Sequence, residues 1–106
     1  MNTDLLMVLC TCPTQSAADA IATALLEERL AACVNQLPGI RSTYRWKGRV
    51  ERDEEVLLLI KTTVERYAGL EETIQKLHPH ELPEIIGVPL TIGSEPYFDW
   101  IRKSTQ

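Results

Sequence analysis

Two segments of alternating character, joined by a lysine–glycine pair, constrain the fold of this chain more than any other feature. In residues 40–46, IRSTYRW, the side chains alternate with the period of two that is typical of a β-strand. Lys47-Gly48 indicates a hairpin turn. The apolar run at 56–62 predicts the return strand, after the highly charged residues 49–55. The sequence therefore predicts a long β-hairpin.

This hairpin is too long to be covered along its whole length by the core of its own domain. A chain of 106 residues forms one domain, 1–106, whose core cannot cover a hairpin of that reach. The aromatic side chains of Tyr44 and Trp46 would then be exposed on it. We therefore expect another subunit to cover them.

The other segments complete a familiar order of elements. Residues 4–12 form an apolar run that predicts a buried strand, and residues 84–93 predict a short one. Amphipathic helices are predicted after the first strand, capped by Thr14 or Ser16, and after the hairpin. A short final helix should turn Tyr97, Trp100 and Ile101 to one face. The predicted stripe of the second helix is Val64, Tyr67, Leu70, Ile74 and Leu77. The order β-α-β-β-α-β predicts an α+β, ferredoxin-like antiparallel sheet with both main helices on one face.

Composition and charge exclude several classes of function. The net charge is −4 and the basic residues are scattered, which argues against nucleic acid as a partner. No secretory signal is visible and no apolar run approaches the length of a membrane span, so we expect a cytoplasmic protein without a membrane partner. The sequence holds no P-loop, no GxGxxG and no recognisable nucleophile–base set, so we do not expect an enzyme.

The three cysteines are expected to be free thiols. An odd count without an export signal disfavours a disulfide framework. Cys10 and Cys12 share one face of the first strand with Cα atoms about 6.5 Å apart, which strains a bridge between them. Buried core thiols and metal ligands both remain open for this pair. Cys33 lies in an apolar run and is interpreted as a packing residue.

The segment HPHELPE, residues 78–84, is the strongest candidate site in the sequence. It contains both histidines of the chain, His78 and His80, and two prolines that stiffen it. Imidazole suits copper and zinc, and a neighbouring glutamate can orient a ring. The alternative is a rigid turn whose first histidine simply ends a helix.

A second candidate involves residues that are distant in the sequence. Tyr44, Trp46, Lys61 and Glu84 are compatible with an intersubunit contact or with a ligand cleft between subunits. The sequence does not choose between these alternatives.

Five segments, in this order, resemble the CutA family of divalent-cation tolerance proteins. They are VLCTCP, ERLAACVNQLPGIRSTYRWKGRVE, LLLIKTT, HPHELPEIIGVPLTIG and YFDWI, and they cover nearly the whole chain. The resemblance implies a ferredoxin-like homotrimer assembled through long hairpins, a link to copper and other divalent cations, and a quaternary likeness to the PII signalling proteins.

The resemblance also implies metal ligands. The cysteine of the family's V-L-C-T-x-P strand corresponds to Cys10, and the histidine of its H-P-Y motif corresponds to His78. The usual tyrosine of that motif is His80 here, which would add an auxiliary ligand. Some members carry a further histidine where this sequence has Leu77, so that ligand is missing.

These observations predict a homotrimeric protein that binds Cu²⁺ or a similar ion and serves metal tolerance. The alternatives are a PII-like trimeric sensor of a small molecule, which signals to a protein partner, and a trimer that anchors other proteins.

Overall fold

The computed structural model describes residues 3–106, so the first two positions of the expected domain lie outside the described residues. A 3₁₀ turn, Val64–Arg66, precedes the second helix. The elements are β1 (Leu5–Cys12), α1 (Gln15–Glu27), β2 (Cys33–Trp46), β3 (Arg49–Thr63), α2 (Tyr67–Leu77), β4 (Ile85–Pro89) and α3 (Glu95–Ser104). This is the predicted order of elements.

The four strands form one antiparallel sheet in the order β2-β3-β1-β4. Each helix connects two strands that are not neighbours in the sheet. Helix α1 connects β1 to β2, which are separated by β3, and α2 connects β3 to β4, which are separated by β1. The predicted ferredoxin-like α+β fold is confirmed. Within residues 3–106, no helix combines the length and the apolar composition needed to cross a bilayer.

The main core lies between one face of the sheet and the helices α1 and α2. Alternate residues of β1, namely Val8, Cys10 and Cys12, are fully buried there. The other fully buried members are Ala18, Ile21, Leu25, Leu58, Ile60, Leu70 and Ile74. Thr14 is the N-cap of α1, where its hydroxyl oxygen accepts the N–H of Ala17 at 3.1 Å.

Two members of the stripe predicted for the second helix lie outside the core. Val64 belongs to the 3₁₀ turn that precedes α2 and is 52% exposed, and Leu77, the last residue of α2, is 44% exposed. Leu70 and Ile74, which are four residues apart, carry the buried face as predicted.

The final helix buries a different face from the predicted one. Ile101 is buried as expected, but its partner is Phe98 rather than Tyr97 or Trp100. Tyr97 and Trp100 are 41% and 45% exposed, with ring centroids 5.4 Å apart. Phe98 and Ile101 pack on Leu5 at one end of the sheet, and this tertiary contact sets the orientation of the helix. The prediction was wrong for the two exposed aromatic residues.

The hairpin of β2 and β3 is longer than predicted. Lys47 and Gly48 have φ values of 50° and 78°, and two left-handed turn residues match the twist of the paired strands. Trp46 therefore pairs directly with Arg49, and the return strand begins there rather than at residue 56. The charged side chains do not interrupt the backbone pairing because most of them are exposed to solvent. A register irregularity occurs at Pro38-Gly39, because proline has no backbone N–H to donate to the partner strand.

Candidate functional site

The first candidate site lies where the end of β1 meets the end of α2. Cys10 and Cys12 are two residues apart in β1, so both thiols point into the core. His78 is the C-cap of α2 and has an extended backbone with ψ of 135°. The following Pro79 favours this conformation, because its ring disfavours helical geometry in the residue before it. The chain thus leaves α2 with the His78 ring against β1.

The His78 ring joins β1 to the loop that follows α2. Its Nε2 atom lies 2.7 Å from the carbonyl oxygen of Thr11, and its Nδ1 atom accepts the N–H of His80 at 3.0 Å. A carbonyl oxygen can only accept, so Nε2 carries the proton and Nδ1 carries the lone pair. The side chain is buried, with only 7% exposed. His78 is therefore held as a neutral ring in one tautomer.

Three potential metal donors meet at this point. The two thiol sulfurs of Cys10 and Cys12 and one ring nitrogen of His78 lie within 4.8 Å of one another, and all three residues are buried. Within residues 3–106, this is the only such group of three. Donors bound to one tetrahedral zinc ion at about 2.0–2.3 Å lie roughly 3.3–3.8 Å apart, so the present spacing would contract by at most about 1.5 Å to hold one. The donor set fits a small thiolate- and imidazole-binding metal ion.

The two thiols differ in acidity because they share a hydrogen bond. The side-chain hydrogen bond to Cys12 and the burial of the sulfur both raise the pKa of Cys10, and Glu84 and Glu55 add to this effect. The same hydrogen bond lowers the pKa of Cys12, and burial opposes that change. Without a metal ion, the Cys10 thiol is therefore the less acidic of the two, and its Sγ lies 3.9 Å from the carbonyl oxygen of Thr11, to which it can donate. A bound metal ion must displace that proton, since the thiolate is the ligand form.

An open cleft of about 960 Å³ lies next to this cluster. The hairpin forms one wall with Tyr44, Trp46 and Glu55, and the loop at 79–84 forms the other. Thr11 lines the cleft at the end of β1. The HPHELPE segment therefore separates two features: its first histidine faces the thiols, and its remaining residues face the cleft.

The predicted group of Tyr44, Trp46, Lys61 and Glu84 is only partly assembled. The two aromatic residues and Glu84 line the cleft together. Lys61 lies elsewhere on the sheet, where its ammonium group donates to the Asn35 side chain and to the carbonyl oxygen of Leu59. It is not among the residues that line the cleft.

Comparison with known proteins identifies the family. The profile of the CutA1 divalent ion tolerance protein matches residues 6–104. The chain belongs to the CutA1 divalent ion tolerance family. It is 50% identical over 99 residues to the divalent-cation tolerance protein CutA of Thermus thermophilus. The matched region covers 93% of this chain and 96% of that protein. It is 45% identical over 96 residues to human protein CutA, of which the match spans only 54%.

Solved CutA structures have the same fold. The Thermus thermophilus structure superposes with a TM-score of 0.94 at 48% identity, covering 96% of this chain and 99% of that one. The CutA structure from Xylella fastidiosa gives 0.95 at 41% identity, covering 98% and 100%. The predicted resemblance to CutA is confirmed.

The CutA resemblance selected two of the three clustered donors. It implied Cys10 and His78, and the structure brings these two residues together. His78 contacts Thr11, the neighbour of Cys10, across 67 positions of the sequence. It did not include Cys12. The signal was present in the sequence, since a Cys-Thr-Cys strand puts both thiols on one face. His80 is not in the group of three, and its ring centroid lies 5.1 Å from that of His78.

All three cysteines, which lie within residues 3–106, are free thiols as predicted. Cys33 is half-buried on β2, and its thiol contacts the Asn35 side-chain oxygen at 3.7 Å.

Proposed function

We propose that this CutA chain binds a soft or borderline metal ion, copper or zinc, through Cys10, Cys12 and His78, and that this binding serves metal tolerance. The observation that carries the proposal is the buried group of three donor atoms within 4.8 Å. The names of its bacterial relatives, which describe divalent-cation tolerance, point in the same direction.

The chemistry of the donors supports this class of ion. Two thiolates and an imidazole suit copper or zinc, whereas magnesium and calcium prefer oxygen ligands. A ligating histidine commonly donates its other ring N–H to a backbone carbonyl. The Nε2–H of His78 already makes such a bond to Thr11, and ligation through the Nδ1 lone pair would keep it. The His80 N–H would then lose its present acceptor. The His80 ring remains our predicted auxiliary ligand.

A metal titration of the chelator-treated protein tests the proposal. Zn²⁺ is titrated calorimetrically, and Cu⁺ is titrated under anaerobic, reducing conditions against a chromophoric competitor. The expected loss of affinity in Cys10→Ser, Cys12→Ser and His78→Ala exceeds the roughly 10- to 100-fold that removal of an outer-shell partner causes. Cys33→Ser removes a thiol outside the group and should bind like the parent. Parent-like affinity in Cys12→Ser and His78→Ala would refute the assigned ligand set.

We also infer that the protein assembles as a homotrimer. The sheet face opposite α1 and α2 is covered by α3 only at its Leu5 end. Leu9 and Leu59 pair at the centre of that face, and Ile86 pairs with Leu9 on the edge strand. Leu37, Ile86 and Val88 are 46%, 49% and 37% exposed. An apolar sheet face of this extent supports self-association, and the CutA resemblance supports three subunits.

We propose a binding role in the cytoplasm rather than a catalytic one. The unbridged cysteines suit a reducing compartment. Location varies among the relatives, since the Arabidopsis thaliana protein is described as chloroplastic and the Archaeoglobus fulgidus structure as periplasmic. The raised pKa of Cys10 disfavours its thiolate as a nucleophile, and Cys12, whose pKa is lowered, is fully buried in the core.

A further inference from the structure

Both ring nitrogens of His78 are already engaged in hydrogen bonds. The Nε2–H donates to the carbonyl oxygen of Thr11 at 2.7 Å, and Nδ1 accepts the N–H of His80 at 3.0 Å. A neutral imidazole has one ring lone pair, which cannot accept a hydrogen bond and bind a metal ion at the same time. A metal ion at this ring must therefore displace a hydrogen bond that the folded chain makes.

The bond from His80 is lost whichever ring nitrogen binds the metal ion. Ligation through Nδ1 takes the lone pair that accepts the His80 N–H. Ligation through Nε2 requires the proton of the neutral ring to move to Nδ1, which then cannot accept that N–H either. Metal binding at His78 and the hydrogen bond from His80 are therefore mutually exclusive.

This hydrogen bond is the main polar attachment of the loop that follows α2. Pro79 and Pro83 have no N–H to donate. Among the residues that the structure describes, the bond between His80 and His78 is the only hydrogen bond made by residues 79–83. Backbone pairing resumes only at Ile85, which lies opposite Cys10 in the sheet. The conformation of the loop thus depends on the Nδ1 lone pair.

The remaining contacts of the loop are too weak to hold it in place. Glu81 lies 3.8 Å from the ammonium nitrogen of Lys47, and both side chains are more than 70% exposed. Exposed ion pairs of this kind contribute little to stability. Leu82 does not anchor the loop by apolar contact, since it is 72% exposed. Loss of the His80 hydrogen bond therefore leaves the loop free to change its conformation.

We propose that metal binding at Cys10, Cys12 and His78 releases the 79–84 loop, so that the loop reports at the protein surface whether the buried site is occupied. The inference rests on the proposed metal site and adds a conformational response to it. The released His80 can then turn its ring towards the metal ion, as its predicted auxiliary role requires. By linkage, the hydrogen bond that holds the loop also weakens metal binding.

Amide hydrogen exchange tests the release of the loop. It is followed by NMR in the assembled, chelator-treated protein before and after addition of one equivalent of Zn²⁺ per chain. The His80 amide should exchange about two- to tenfold faster with zinc, which is the ratio that one net hydrogen bond corresponds to. Amides of β1 should exchange more slowly or at the same rate, because a ligand that binds only the folded state suppresses unfolding. Zinc uptake is measured in the same sample with a chromophoric competitor.

Two variants of one position test the competition from the other side. His80→Ala and His80→Pro both remove the ring, but only His80→Pro also removes the N–H that occupies Nδ1. The φ angle of His80 is not positive, so the position is open to proline in this respect. His80→Pro should bind Zn²⁺ about two- to tenfold more tightly than His80→Ala.

The possible results separate this inference from the metal site on which it rests. Zinc uptake with unchanged or slower exchange of the His80 amide would overturn the inference and leave the metal site standing. Equal zinc affinity of the two folded His80 variants would also overturn it. Absence of zinc uptake would overturn both the inference and the proposed ligand set. If His80→Pro does not fold, the exchange measurement on the parent protein decides by itself.

Discussion

The His78 ring should stabilise the folded protein even without a metal ion. His78→Ala removes two hydrogen bonds, to Thr11 and His80, whose lengths are 2.7 and 3.0 Å. Each is worth about 0.5–1.5 kcal/mol net. Loss of the buried apolar surface of the ring adds roughly 1 kcal/mol. The expected loss in the free energy of unfolding is therefore about 2–4 kcal/mol per subunit.

Chemical denaturation of metal-free protein measures this loss. The matched control is His80→Ala, which removes an exposed ring but keeps the backbone N–H that His78 binds. It should change the free energy of unfolding by less than about 0.5 kcal/mol. Hydrogen exchange adds a local measurement, because the His80 amide should lose protection in His78→Ala.

Three results would refute this reasoning. Parent-like unfolding of His78→Ala would show that the ring does not fasten the loop to β1. Equal destabilisation by His80→Ala would show that the His80 ring, rather than the two His78 hydrogen bonds, carries the stability. A His78→Ala defect that appears only after metal is added would assign the residue to ligation alone.

Two further predictions concern assembly and the hairpin. In sedimentation experiments, we expect the parent to have about three times the chain mass of 12.0 kDa and Leu59→Asp to form smaller species. The control is Leu26→Asp, on the exposed surface of α1, which should sediment like the parent. A Leu59→Asp protein that stays assembled would contradict the proposed interface. The hydrogen bond to Asp53 raises the pKa of Tyr44 to about 12, so Asp53→Asn should return it towards about 10. The raised pKa means that this contribution to stability is complete below about pH 10 and is lost as the pH rises through about 12. NMR titration of ring-labelled tyrosine measures this shift, and an unchanged pKa in Asp53→Asn would contradict the assigned cause.

The sequence by itself determined the features that depend on neighbouring residues. Period-two alternation and the Lys47-Gly48 turn specify a hairpin, because strand geometry and left-handed turn residues are local properties. The same alternation put Cys10 and Cys12 on one face. The order of strands and helices followed from such local signals, and it restricts the antiparallel sheet to few topologies.

Tertiary structure decided which distant groups meet. Only the packing of α2 against the sheet brings His78 to Thr11 and the two thiols, and only the pairing of β3 leaves Glu55 buried beside the 79–84 loop. The same cause explains the wrong face of α3, where contact with Leu5 selected Phe98. In each case the deciding contact joins residues far apart in the chain, and its position depends on the packing of several elements rather than on any local pattern.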